Sequence, residues 1–227
     1  MKKYEFTGEV KVVYGITLHR IRAVVSFGSI IKGELGGWIQ KEGNLSQNSN
    51  AWVYDNAKVY GDAKVFDNAK VYGDAKVFGD ANVYGDAKVY GNAKVYGDAE
   101  VYGNAKVCGN AEVYDNAWVY DNAKVYGDAK VYGNAKVYGD AEVYGNADYI
   151  VFKNWWSSGR YFTWTRSNNK WTVGCFFGTG AELIAKAYQD SKKSGREYER
   201  IVKYVESILA DENNEKTTKQ FHNPRTK

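Results

Sequence analysis

The chain has 227 residues, of which 31 are basic and 27 acidic, for a net charge of +4; 44% of it is hydrophobic, which bounds it to one or two soluble domains. No run approaches the roughly 20 apolar residues of a membrane helix, and Met1-Lys2-Lys3-Tyr4-Glu5-Phe6 leads into polar positions rather than a signal core, so the expectation is a cytoplasmic protein without membrane contact. Two cysteines, Cys108 and Cys175, exclude a disulfide framework and a thiolate metal site, two histidines, His19 and His222, leave imidazole chemistry little room, and 24 glycines with 20 tyrosines and one proline point to a regular repeat.

In chain order, residues 1–50 are predicted to form an N-terminal β cap and the first irregular coils. Strands are expected at Tyr4-Glu5-Phe6 and Val10–Val13 around Gly8, and from Leu18 to Phe27 after Gly15. Residues 28–50, with Gly33-Glu34-Leu35-Gly36-Gly37-Trp38-Ile39 and Leu45, are expected to be irregular first turns. His19, beside Arg20 and Arg22, is read as a surface-strand histidine, with an anion site as the alternative.

From Ala51 to Ala147 alanine stands at every sixth position, 17 in succession, in a unit that reads Ala-Lys-Val-Tyr-Gly-Asp. Valine follows two places after the first 16 alanines, and an aromatic follows each valine except at Cys108. Six is divisible by the strand period of 2 but not by the helical 3.6, so Ala and Val stay on one face only of an extended chain. Gly-Asp, Gly-Asn and Asp-Asn tolerate a left-handed backbone, so each hexad is a short strand followed by a corner. Identical turns forbid hairpins; parallel coils, each bonded to the coil above and below at about 4.8 Å, satisfy the backbone instead. The predicted fold is mainly β, a parallel β-solenoid over 51–147.

The spacing in Val59-Tyr60-Gly61-Asp62-Ala63, aliphatic and then small four places later, resembles the hexapeptide-repeat family. That resemblance implies a left-handed β-helix of triangular section with three hexads per coil, a little over five coils here. One departure is the aromatic residue directly after valine, where the family commonly has a small or acidic one. Three hexads per coil align positions eighteen apart, so the rings fall into three outward columns: Tyr54, Tyr72, Tyr90, Cys108, Tyr126 and Tyr144; Tyr60, Phe78, Tyr96, Tyr114 and Tyr132; Phe66, Tyr84, Tyr102, Tyr120 and Tyr138. Such rings either stack on one another to cover the backbone or, beside the lysines, make a flat surface for a protein, a sugar or a nucleic acid. Nucleic acid is not favoured on the rod, because residues 51–147 carry ten Lys against eleven Asp and three Glu, a net −4. A calcium site at the corner aspartates is the alternative to simple turns.

Family members include acyltransferases that use histidine as a base and carbonic anhydrases that hold zinc with histidines. No histidine lies between residues 51 and 147, so no catalytic residue, metal or cofactor is assigned and Cys108 is read as a tolerated small replacement.

After Ala147 the period stops. Tyr149–Phe152 reads as a strand, and Arg160–Arg166 faces Lys170–Phe176 across Ser167-Asn168-Asn169 as a hairpin. Thr179-Gly180-Ala181-Glu182 and Ser194-Gly195-Arg196-Glu197 are capping boxes that place helix starts near 180 and 195, and Tyr198, Ile201, Val202, Val205, Ile208 and Leu209 make an apolar stripe. A ββαα domain is predicted over 148–210, with a disordered tail over 211–227. Residues 148–227 carry 14 basic and 9 acidic side chains. Trp155, Trp156, Arg160, Tyr161, Trp164, Arg166 and Trp171 crowd one hairpin, and these residue types dominate binding hot spots, so they are the candidate partner-binding set, with a core-and-cap role as the alternative.

The stretches Gly33–Ile39, the hexad array, and Trp156–Arg160 through Gly174–Gly180 resemble proteins of unassigned function encoded in bacteriophage and prophage genomes. The residues themselves lead to a non-enzymatic binding protein that shows its basic, aromatic C-terminal domain to a host protein or anionic ligand; what the resemblance implies is a place in the host-cell cytoplasm and a role in inhibiting a bacterial defence. The alternatives are a divergent acyltransferase with its active site between subunits, and a structural virion or adhesion component. Family resemblance implies a homo-oligomer, a trimer, with a dimer as the alternative.

Overall fold

The computed structural model describes the backbone of residues 2–221 and the side chains of residues 2–213. Strands β1 (Tyr4–Val13), β2 (Ile16–Ala23) and β3 (Leu35–Ile39) precede sixteen two-residue strands, β4 (Trp52–Val53) to β19 (Glu142–Val143), one per hexad. Strands β20 (Tyr149–Lys153), β21 (Tyr161–Thr165), β22 (Lys170–Val173) and β23 (Phe176–Gly178) follow, then helices α1 (Gly180–Asp190) and α2 (Lys192–Phe221).

The hexads wind as a parallel solenoid with three strands per coil. Lys70 pairs with Lys88 and Lys88 with Lys106, eighteen residues apart, and the other two faces repeat the same register. One face runs β4-β7-β10-β13-β16-β19, the second β5-β8-β11-β14-β17 and the third β6-β9-β12-β15-β18. Pairing of β3 with β5, and of Leu45 with Val65, adds an incomplete coil at the N-terminal end, so there are about six rather than a little over five. Every valine from Val53 to Val143 and every alanine from Ala51 to Ala141 is fully buried on the axis. The seventeenth alanine, Ala147, is exposed, because a helical turn at Asn146–Asp148 breaks the coil and the Tyr149 ring closes the axis instead.

Corners take the left-handed backbone that their composition predicts. Gly61 (φ 71°) is typical, and where Asp replaces Gly, as at Asp55 and Asp67, its carboxylate accepts the N–H of the glycine one coil on. Outward rings stack as expected. Tyr72 and Tyr90 lie 4.7 Å apart and 2° from parallel, and unbroken stacks run from Tyr60 to Tyr132 and from Phe66 to Tyr138. Cys108 interrupts the remaining column. The corner amides form a second ladder, with Asn50 on Asn68 and Asn92 on Asn110.

Apart from the bonds between two strand residues, inter-coil bonds run from an N–H to a carbonyl of the next coil, as in Trp52 to Ala69 and Tyr54 to Val71. The N-terminal end therefore presents carbonyls without donors and the C-terminal end presents N–H groups without acceptors, and buried groups of either kind must be satisfied. At the first end Lys3 Nζ donates to the Ser49 and Ala51 carbonyls, Asn44 Nδ2 to Gly61 and Ala63, and the Tyr4 hydroxyl to Leu45. At the other end Thr163 Oγ1 accepts from Lys136 N, Ser167 Oγ from Glu142 N, and Asp148 Oδ2 from both Tyr144 N and Gly145 N.

The N-terminal cap is a hairpin, β1 with β2, bulged between Phe6 and Val10 around Gly8. It is one continuous strand pair where the sequence suggests three pieces. Gly36 and Gly37 let β3 lie on the first coil: a Cβ on Gly37 would stand 2.7 Å from the Ala57 carbonyl oxygen.

The C-terminal unit differs from the ββαα expectation in three respects. Its sheet has four antiparallel strands, because Phe176–Gly178 doubles back onto β22 after Gly174 (φ 57°). α2 starts at Lys192 rather than near 195; Ser191, not Ser194, supplies the hydroxyl that accepts the Ser194 N–H. Residues 211–221, expected as disordered tail, continue α2, since a helix already nucleated by packing propagates through Glu- and Lys-rich sequence. The remainder of the predicted tail, 222–227, and His222 with it, lies outside the described residues.

Candidate functional site

The seven candidate residues of the hairpin do not form one surface. Trp156, Trp164 and Trp171 are buried with Phe162, Tyr198 and Val202 between the sheet and the helices. Strand alternation explains this, since Phe162, Trp164 and Trp171 share the sheet face against which α1 and α2 lie. Trp164 Nε1 donates to Asn169 Oδ1, which closes the hairpin, and Trp156 meets Tyr198 edge-on at 5.2 Å. Arg166 is bidentate to Glu212 on α2 at 2.6 and 3.1 Å and also reaches the Ala147 carbonyl. That pairing raises the guanidinium's proton affinity further, and the residue ties helix, sheet and rod end together.

The other three remain accessible. Trp155 is 74% exposed on the turn after β20, Arg160 is exposed, and Tyr161 opens β21 with its ring at the surface. Tyr161 stands between two grooves where the last coils meet the sheet. One, of about 390 Å³, is lined by Trp118, Lys136, Asn116, Asn134, Arg160 and Tyr161. The other, of about 500 Å³, lies between Tyr132, Tyr149, Val151 and Tyr161. Among the described residues, neither groove has an acidic side chain in its wall. Lys136 Nζ sits 3.9 Å from the Trp118 ring centre, and Lys153 lies 5.5 Å over Tyr161.

Sequence reading misses Trp118 and Lys136 because both sit inside the array. A signal was present nonetheless: Trp118 occupies the outward position that lysine fills in most hexads and Asn or Glu in four others, and the one other ring there is Trp52, buried beneath the N-terminal cap. His19 lies in β2 with its ring stacked on Phe6 at 4.7 Å, away from this junction. Cys108 is partly buried and Cys175 exposed, and both are free thiols. No group of three or more His, Cys, Asp or Glu side chains placed to hold a metal ion occurs among the described residues, and none of the described helices is long and apolar enough to cross a membrane.

No family model matches the chain. A stretch of 47 residues is 43% identical to the uncharacterized acetyltransferase YdcK of Escherichia coli (strain K12), covering 20% of this chain and 14% of that protein. Together with the coil geometry, this similarity fits a β-solenoid of the hexapeptide-repeat kind.

Proposed function

We propose that the protein is a non-enzymatic binding scaffold: a stiff rod whose C-terminal end holds a basic, aromatic groove for an anionic partner. The observation that carries this reading is the acid-free wall at the junction, where Trp118 and Lys136 of the last coils face Arg160 and Tyr161 of the sheet. Trp118, Lys136 and Tyr161 of the site sit on strands, which hold a recognition surface more precisely than loops do, and Arg160 directly precedes β21. The likeness to phage-encoded proteins directs the search to bacterial host proteins, with defence proteins first. Arg160→Glu with Lys136→Glu in the full chain should abolish capture of an acidic partner from bacterial lysate without lowering Tm. Capture that survives both reversals overturns the assignment.

A second reading, a divergent acyltransferase, is favoured by the partial similarity to a protein named as an acetyltransferase. It requires acetyl-coenzyme A to bind and turn over with a primary-amine acceptor. His19→Ala should remove that turnover if His19 is the base, and wild-type protein without turnover removes the reading.

A further inference from the structure

The three faces of the rod do not treat their lysines alike. On the β5 face Lys94 and Lys130 both approach Glu112, Lys58 Nζ donates to the Asn56 carbonyl, and Lys76 lies over Tyr14 of the N-terminal hairpin. The β6 face carries Lys64, Asn82, Glu100, Trp118 and Lys136 in successive coils, so its charges are diluted. The β4 face stacks Lys70, Lys88, Lys106 and Lys124, and only Lys124 has an ion-pair partner among the described residues, Glu142. Like charges directly opposite on neighbouring strands repel. Three coils in a row thus carry an uncompensated cost that a bound anion would relieve.

This lysine column has a groove on each side. The larger, about 510 Å³, runs between the lysines and the corner column Asn50, Asn68, Asp86 and Asn104, and the N-terminal cap closes one end with Gly28 and Ser29. The smaller, about 330 Å³, runs between Lys70 and Lys88 and the rings of Tyr54 and Tyr72. Two acids stand at the margins, Asp86 and Asp55, and Asp55 already accepts the Gly73 N–H.

We infer that this face binds a linear acidic polysaccharide, one carboxylate per sugar, laid along the rod axis. The lysines recur once per coil, at about 4.8 Å, so every second lysine recurs at about 9.6 Å, close to the two-sugar repeat after which an extended two-fold chain turns a carboxylate to the same side. An extended acidic peptide presents same-face carboxylates about every 6.7 Å, which matches neither one coil nor two. Single-stranded nucleic acid needs free ring faces for its bases, yet Tyr72 and Tyr90 cover each other at 4.7 Å and Tyr54, the other ring of the groove, meets Tyr72 edge-on at 6.3 Å. Phenol hydroxyls and corner amides are suited to the hydroxyls of a sugar.

Full-length protein titrated with polygalacturonate should bind, bind less well as salt rises, and ignore the fully methyl-esterified polymer. Lys70→Gln, Lys88→Gln and Lys106→Gln together should weaken binding about tenfold or more, and Asp86→Asn should tighten it. The triple variant relieves repulsion, so its Tm should not fall. Absence of binding, equal binding by the triple variant, or tighter binding of oligothymidylate or polyglutamate through the same lysines overturns the inference. Arg160 and Lys136 lie elsewhere, so their variants leave this result independent of the junction groove.

Discussion

The two ends of the rod face opposite problems. At the N-terminal end the coil offers carbonyls, and the chain answers with an ammonium, an amide and a phenol from Lys3, Asn44 and Tyr4. At the C-terminal end it offers N–H groups, and the answers are hydroxyl and carboxylate oxygens from Thr163, Ser167 and Asp148. Aligned coils have a polarity that the caps must read in the right sense, so the caps are not interchangeable even though the coils between them nearly are.

The severest way to break that asymmetry is to reverse a cap's sign. Lys3→Glu sets a carboxylate against the Ser49 and Ala51 carbonyls and should cost about 3–5 kcal/mol, read as a fall in the denaturant midpoint. Next in size is a cavity in the shared middle: Val107→Ala on the dry axis should lose about 2 kcal/mol, and the same change at Val89 should match it because the coils are equivalent. Thr163→Val removes only the acceptor for the Lys136 N–H and should cost about 1–2 kcal/mol, confined to the C-terminal end by hydrogen exchange.

Dependence on pH separates the cap from the columns. Burial pushes Lys3 down to about 8 from 10.5, so between those values the unfolded chain holds more protons and stability rises with pH. The stacked phenols act in the other direction. Tyr96 and Tyr102 are raised to about 12, mainly by burial, and Tyr90 to about 12, mainly by its bond to Cys108. Their contribution is intact below pH 10 and is lost as pH climbs toward 12. Stability should therefore peak near pH 10, and Lys3→Met should flatten the rising limb while leaving the falling one; a profile that declines from pH 8 onward contradicts the Lys3 assignment.

Periodicity made the middle of the molecule legible. Ala-x-Val spacing is enough to put Val53–Val143 on the axis and Tyr60–Tyr132 in a stack, because one local rule recurs without exception. It could not indicate that the coil count gains a layer from Leu35–Ile39, since that segment joins by long-range pairing rather than by repeat. Aromatic richness located the C-terminal unit but not its inside and outside. Trp164 and Trp155 look alike as letters, and only the sheet's alternation and the helices laid on one face bury the first and expose the second. Trp118 needed the fold as well, because its partners Arg160 and Tyr161 lie more than two coils' length away along the chain.

Because each cap contacts only coils near its own end, such as Lys76 under Tyr14 at the first and Lys136 beside Thr163 at the other, the span between the lysine cap and the junction groove is quantised. Excising eighteen residues within the array, such as 88–105, would bring the two ends closer by one step of about 4.8 Å and leave each termination chemically unchanged. The chain is in that sense a graduated ruler, whose length can be edited without redesigning either end.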